Sequence, residues 1–348
     1  MLPFLLRRLA WFAITLWCVV TVSFALMLNV RGGPLDSEVQ LEPEIRAAIE
    51  RRYHLDWPWW KQYLQYVGPF NLDARSGILS EKEIPGEPNA DGSPAPLVPN
   101  PDYRTDLFGG VLAGDLGPSF KLKDYTVNDI IAQSLPISIS LGSLALFWAL
   151  LLGLSVGVAS AVWRGSTWDL GLRLLATLGI ALPNFVIAGY LVLALAFNVD
   201  FLPVAGWGTV GHMLLPSLAL GAPFGAYIAR LSRTGVLEVL SMDHIRTARA
   251  KGLPERLVIL RHVLKGGVLP VVSYLGPATA GILTGSLVIE RLFGIPGTGS
   301  HFVNSALNRD YTLAMGVTIL YTVLVYSLNT LVDLAYTLLD PRIELEES

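Results

Sequence analysis

The chain has 348 residues, 52% of them hydrophobic and only 15% charged, where soluble proteins use roughly 25% charged residues. The mean hydropathy of +0.51 points the same way, and the apolar residues fall in continuous runs. That excludes a membrane β-barrel, whose segments of about ten residues alternate apolar and polar. The net charge of −3 is uninformative alone, its distribution being what matters; no nucleic-acid partner is expected, and the single cysteine, Cys18, excludes an intrachain disulfide.

An apolar run of about 20 residues spans a membrane, because the hydrocarbon core is roughly 30 Å thick and a helix rises about 1.5 Å per residue. Arg7 and Arg8 precede the first such run, at 9–28. It is longer than the ~7–15 residues of a signal-peptide core, and no small-x-small cleavage site follows closely. The run is therefore expected to stay as a helix, with Cys18 a buried, inert thiol inside it.

Residues 31–133 are polar and form a large loop between the first and second spans. Leu41, Ile45, Ala48 and Ile49 recur at helical spacing. A second short helix is expected from Trp57 through Tyr63, with Pro58 in its first turn. Its aromatic cluster suits the membrane interface or packing within the loop region. Between Ile84 and Pro101 the prolines at 85, 88, 94, 96, 99 and 101 exclude a regular helix or a central strand.

Five further spans are expected at 135–163, 170–198, 213–231, 268–289 and 312–338. Pro183 interrupts the third, and Pro216 and Pro223 lie in the fourth. Neighbouring helices satisfy the backbone groups that such prolines free. Glycines at 153, 157, 179, 221, 225, 276, 281 and 285 favour close helix packing. The fold class is thus an all-α membrane protein of six transmembrane helices. It divides into 1–30 with the first span, the loop region 31–133, and a five-helix core at 134–348.

Basic residues flanking short connectors mark the cytoplasmic side. Arg7, Arg8, Arg164, Arg173, the segment 243–265 and Arg342 all fall on one side, whereas the opposite connectors, 199–212 and 291–311, carry only Arg291 and Arg309. Both termini are therefore expected in the cytoplasm and the large loop outside.

No phosphate-binding G-x-x-x-x-G-K-[ST] loop and no H-E-x-x-H motif is present, so this chain has no ATPase or zinc-protease signature. His54, His212, His244, His262 and His301 are scattered and are expected to be structural; no metal or cofactor is expected. Within or beside the spans, Asp333, Asn329 one turn before it, and Glu290 are the candidate pathway or gating residues, with Pro183 and Asn184 at the helix break. Asp333 lies near the inner end of its span, where pairing with a basic residue is easy.

The connector at 236–267 is unlike the others. Arg246, Arg249, Lys251, Arg256, Arg261 and Lys265 stand there against Asp243 and Glu255, with a turn signal at Gly252, Leu253 and Pro254. It has helical periodicity and too few apolar residues to cross a membrane, which fits a docking element or a simple topology signal.

Thr247-Ala248-Arg249-Ala250-Lys251-Gly252-Leu253 followed by Arg261-His262-Val263-Leu264 resembles the coupling loop, or EAA motif, of inner-membrane permeases of binding-protein-dependent ABC importers. It is closest to the B-type permeases of the dipeptide/oligopeptide family. Gly252 matches the fixed glycine of that motif, and Gly266 stands where the family usually has asparagine. Gly114-Asp115-Leu116-Gly117-Pro118-Ser119, Leu135-Pro136-Ile137-Ser138-Ile139-Ser140-Leu141-Gly142 and Ala181-Leu182-Pro183-Asn184-Phe185 are similar to family segments. So are Glu290 through Gly299, Arg309-Asp310-Tyr311 and Asp340-Pro341-Arg342. The tail at 336–343 and the enlarged outer loop resemble the subgroup with microcin C-type and longer-oligopeptide permeases; the proline-rich insert departs from it.

The resemblance implies the ABC type I importer permease fold. It implies Arg246, Thr247, Ala248, Arg249, Ala250, Lys251, Gly252, Leu253 and Glu255 as the ATPase-coupling residues. It also implies a second homologous permease, two cytoplasmic ATPase subunits, an external solute-binding protein and a peptide substrate. Relatives of the same fold carry nickel chelates or oligosaccharides. From the residues alone, an ion-coupled secondary transporter using Asp333 and Glu290, or a membrane scaffold, stays open.

Overall fold

The computed structural model describes residues 2–29, 55–69, 72, 83–85, 97–99, 109–122, 125–199 and 201–339. The helix expected around Leu41–Ile49 and the tail from Asp340 lie outside them. Among the described residues the chain is helical apart from one short strand pair. Strands β1 (Glu83–Pro85) and β2 (Leu97–Pro99) pair antiparallel with Ile84 opposite Val98. Each strand has a single partner, so the prolines occupy edge positions, where a missing N–H is tolerated.

The helices are α1 (Leu2–Asn29), α2 (Trp59–Val67), α3 (Val127–Val162), α4 (Thr167–Ala181) and α5 (Asn184–Leu191). There follow α6 (Val210–Leu240), α7 (Asp243–Ala250), α8 (Glu255–Gly267) and α9 (Leu269–Gly285). The last three are α10 (Leu287–Phe293), α11 (Thr298–Asn308) and α12 (Tyr311–Leu339). Among them α1, α3, α6 and α12 are each long and apolar enough to cross a membrane. The number rises to 6 if each of two bent pairs, α4 with α5 and α8 with α9, counts as one span.

Three expectations need correction. The third span is two helices at 115°, with Pro183 at the corner. Pro183 has extended backbone (ψ 143°) and cannot donate to the preceding turn, so α4 ends and α5 restarts at Asn184. The fourth span does not stop at 231: α6 runs to Leu240, because the charged residues after 231 still extend a good helix-forming sequence. Cys18, expected among buried side chains, is exposed. An apolar helix that faces lipid need not bury its side chains in protein, and composition does not separate the two cases.

The chain forms two compact units. One comprises Met1–Ala13, Gln133–Val303 and Leu320–Ser348; the other comprises Ile14–Ala132 and Asn304–Ile319. In the first, Leu141, Leu215, Leu220, Ile282, Ile289 and Phe293 belong to one buried cluster. Its main seam joins α3 to α6 through small residues. A Cβ on Gly221 would stand 2.4 Å from the Ala145 carbonyl oxygen, and one on Gly153 would stand 2.5 Å from that of Gly225. No side chain larger than hydrogen fits there, and the close approach yields dispersion contacts along the whole seam.

In the second unit, α2 packs through Tyr63 and Tyr66 on Phe24, with ring centroids 5.3 and 6.2 Å apart. The Tyr63 hydroxyl is 2.6 Å from Thr21 Oγ1. Trp59 and Trp60 are exposed. Lys61 Nζ sits 3.6 Å from the centre of the Trp57 ring, a cation–π contact.

Gly153→Leu is expected to lower the detergent-state thermal midpoint by more than about 5 °C, since overpacking costs roughly 1–3 kcal/mol or more. Gly171→Leu, in α4 with open space for 4 Å around the point where a Cβ would stand, is expected to leave it unchanged. Size-exclusion profiles after a temperature series measure both.

Candidate functional site

Helix α7 builds the candidate docking segment. Asp243 opens it and Arg249 lies in its last turn, charges that complement the helix dipole. Its inner face is Ile245 and Ala248, three residues apart and buried at 0% and 6% exposure. They pack with Val236 and Val239 of α6 and Val258 and Val263 of α8. Gly252 then takes the left-handed conformation (φ +77°), its N–H donating to the Arg249 carbonyl at 2.9 Å, and Pro254 leads into α8. The Arg249 guanidinium closes the turn by donating to both Glu255 carboxylate oxygens at 3.1 and 2.6 Å. Arg246 pairs with Asp243 at 3.3 Å.

Arg246, Thr247, Arg249, Ala250, Lys251, Gly252, Leu253 and Glu255 are all exposed, on or just after α7. Ala248 is buried and packs in the cluster that seats the helix. The chemistry of the surface also differs from the basic strip expected. Met242, Leu253, Leu257 and Leu260 are exposed large hydrophobics around the same turn. Leu253 is among the expected coupling residues; reading the connector by its charges passes over Met242, Leu257 and Leu260.

Of the candidate pathway residues, Glu290 and Asp333 are each held by partners of their own. Glu290, with no exposed surface, accepts from Ser138 Oγ at 2.8 Å and from the Ser300 N–H at 3.0 Å. Ser138 Oγ in turn accepts from the Thr298 N–H at 2.9 Å. A Cβ on Gly297 or Gly299 would come within 2.4 or 2.9 Å of the Glu290 carboxylate, which is why that segment is rich in glycine. Asp333 pairs with Arg8, whose carbonyl accepts from the Tyr326 hydroxyl at 2.7 Å; this is the structural pairing expected for it. Asn329 is half-buried, Pro183 is exposed and Asn184 half-buried at the start of α5.

Two carboxylates that sequence reasoning did not single out have the same character. Asp310 accepts from Ser119 Oγ, from the Phe120 N–H at 3.2 Å and from Thr312 Oγ1 at 3.1 Å, and caps α12 through the Leu313 N–H. Asp169 is buried and accepts from Ser160 Oγ at 2.6 Å and the Gly165 N–H at 3.0 Å. Arg233 donates to it bidentately at 3.1 Å, and Arg173 lies 3.3 Å away. Asp169 passes for an ordinary first-turn acid behind the Ser166 cap. Its partner was hidden because Arg233 lies beyond the expected end of the fourth span. No group of three or more His, Cys, Asp or Glu that could hold a metal occurs among the described residues.

A bundle of apolar helices, four to six of them candidate spans, defines a membrane protein, and comparison with known proteins gives the family. Residues 149–345 match the family described as binding-protein-dependent transport system inner membrane component; the chain belongs to it and is a multi-pass inner-membrane protein. It is 42% identical to the oligopeptide transport system permease protein OppB of Escherichia coli K12 over 345 residues, 99% of each chain. It is 36% identical to the dipeptide transport system permease protein DppB of Bacillus subtilis over 347 residues, 100% of this chain and 99% of that one. A chain of the solved MetNI methionine ABC transporter shares the fold, with a TM-score of 0.53 at 16% identity, covering 61% of this chain and 96% of that chain.

Asp169→Ala is expected to destabilise the protein by about 1.5–3 kcal/mol, the range for hydrogen bonds to charged groups, and to lower its thermal midpoint. Asp169→Leu combined with Arg233→Met is expected to recover most of the loss, because an apolar replacement of a buried pair is close to neutral. Outside the candidate spans, burial holds the His301 imidazole below its ordinary value, opposed by the charge of Glu290. As pH falls through about 6.5 the unfolded chain takes up a proton that folded His301 resists. Stability is therefore full above that pH and declines on acidification. Thermal midpoints between pH 8 and 5 are expected to show this slope, and His301→Gln to flatten it.

Proposed function

We propose that this chain is the permease subunit of an ATP-driven peptide importer, with six spans, both termini in the cytoplasm and the 31–133 region outside. The observation that carries the reading is α7: a short helix fixed to the ends of α6 and α8 by Ile245 and Ala248, with its basic face left exposed. A rigidly seated helix of this kind can fit a groove on a cytoplasmic ATPase subunit and pass its motion into the two helices that hold it. The chain has no phosphate loop of its own, so hydrolysis belongs to two partner subunits. A second homologous permease completes the pathway, and an external binding protein delivers solute to 199–212, 291–311 and part of 31–133. Arginine asymmetry between the connectors supports the orientation. Peptide as substrate rests on the functions that the oligopeptide and dipeptide relatives are named for.

An ion-coupled carrier would need an available carboxylate in the bundle. Glu290 is occupied by Ser138 and Ser300, and Asp333 by Arg8, which speaks against that alternative.

Arg246→Glu combined with Lys251→Glu alters only exposed charges. In proteoliposomes of the assembled transporter it is expected to cut ATP-driven peptide uptake more than about tenfold, with membrane insertion and thermal midpoint unchanged. Undiminished uptake in this variant would reject the coupling role of α7.

A further inference from the structure

Two cavities meet between α3, α4 and α6. One, of about 360 Å³, is lined by Arg173, Arg230 and Arg233 together with Thr177 and Thr234. The other, of about 250 Å³, is apolar and includes Trp148, Gly153, Leu175, Gly179, Leu218 and Gly225. Val156, Ala176 and Ala229 line both, so the two are adjacent along one groove with a polar end and an apolar end.

The polar end carries an excess of positive charge. Of the three arginines, Arg233 and Arg173 share the one carboxylate of Asp169, and Arg230 is exposed and makes no ion pair among the described residues. No acidic side chain lines the cavity. The two threonines donate their hydroxyl hydrogens to their own helices, Thr177 to the Arg173 carbonyl at 2.8 Å and Thr234 to the Arg230 carbonyl at 3.0 Å. What their oxygens still offer is lone pairs. The site therefore provides guanidinium groups for an anion and acceptors for a hydroxyl.

The apolar end has the right length for a hydrocarbon chain. From Gly157 at the polar end back to Trp148, nine residues earlier on α3, the groove follows about 14 Å of helix. Half the hydrocarbon thickness of a bilayer is about 15 Å. Glycine and alanine of α3, α4 and α6, among them Ala149, Ala176 and Ala222, line it.

We propose that this groove binds an anionic membrane phospholipid with a hydroxyl-bearing headgroup. Its phosphodiester lies among Arg173, Arg230 and Arg233, its headgroup hydroxyls reach the threonine oxygens, and one acyl chain runs toward Trp148. Basic pockets between helices at the cytoplasmic end of a span are suited to such headgroups. Arg233 lies seven residues before the end of α6 at Leu240, ahead of α7, so the bound lipid sits at the end of the bundle that carries the docking segment. The proposal requires only that the helices stand in a bilayer, not that α7 couples to an ATPase.

The test is native mass spectrometry of the assembled, detergent-solubilised transporter. It is incubated with phosphatidylglycerol, with phosphatidylethanolamine of the same acyl chains, or with phosphatidylglycerol plus excess inorganic phosphate. Phosphatidylglycerol is expected to be retained at least about threefold more than phosphatidylethanolamine. Arg230→Gln, which breaks no internal pair, is expected to remove that preference, and Ala176→Leu, which narrows the junction of the cavities, to reduce retention. Equal retention of the two lipids would overturn the proposal. So would preference unaltered by Arg230→Gln, or complete displacement by inorganic phosphate, which would mark an anion site without an acyl chain. If Ala176→Leu fails to assemble, Arg230→Gln decides alone. Peptide uptake measured on the Arg246/Lys251 variant is independent of these outcomes, so failure of one reading is distinguishable from failure of the other.

Discussion

The close approach of α3 and α6 is the constraint on which the larger unit depends. Two long helices come near enough that a Cβ at Gly153 or Gly221 would meet a carbonyl oxygen of the other helix. In a bilayer no hydrophobic force drives such helices together, so association rests on packing and on polar contacts between them. The same approach brings Ser160 of α3 within 3.0 Å of the Arg233 side chain of α6. That completes the donor set around Asp169, which sits at the start of α4. Small residues also line the cavities between this pair and α4. One feature of composition thus yields a tight seam and an open groove side by side.

Carboxylates near the bundle are tied down one by one. Asp169 has a guanidinium, a hydroxyl and a backbone N–H; Glu290 has a hydroxyl and a backbone N–H; Asp310 has hydroxyls and backbone N–H groups. An unpaired buried charge costs several kcal/mol even after relaxation, so each needs such a set. The partners come from distant parts of the chain: Ser138 with Glu290, Ser119 with Asp310, Arg8 with Asp333. These links explain why short motifs scattered along the sequence belong together. The serine of the Gly-Asp-Leu-Gly-Pro-Ser turn and the aspartate of Arg309-Asp310-Tyr311 are two halves of one cap. Gly297 and Gly299 leave out side chains that would collide with the Glu290 carboxylate.

The helical class and the approximate spans were legible because apolar runs are long and local. The Ile245 and Ala248 spacing was also legible as a helical face, but the charges around it drew attention to the exposed side. Pro183 announced a break. Its 115° angle was beyond sequence reasoning, since a proline marks a break and leaves the direction of the next helix to tertiary packing. Arg233 escaped notice for a different reason. A hydropathy boundary marks where apolar composition ends, whereas α6 continues nine residues past it as a helix that buries Val236 and Val239. Cys18 shows the reverse error: apolar composition says where a helix lies and not which of its faces meets protein.

The exposed ion pairs around α7 bear on how such a segment recognises a partner. Arg246 with Asp243 and Arg249 with Glu255 are solvent-exposed, and pairs of that kind contribute only about 0–1 kcal/mol each. Charges at an interface steer an approaching surface and fix its register more than they add affinity. Binding strength must come from area removed from water, at about 25 cal/mol per Å². Met242, Leu253, Leu257 and Leu260 supply that area beside the charges. A docking groove complementary to this segment therefore needs an apolar floor as well as acidic walls, and an acidic surface without that floor would attract α7 without holding it.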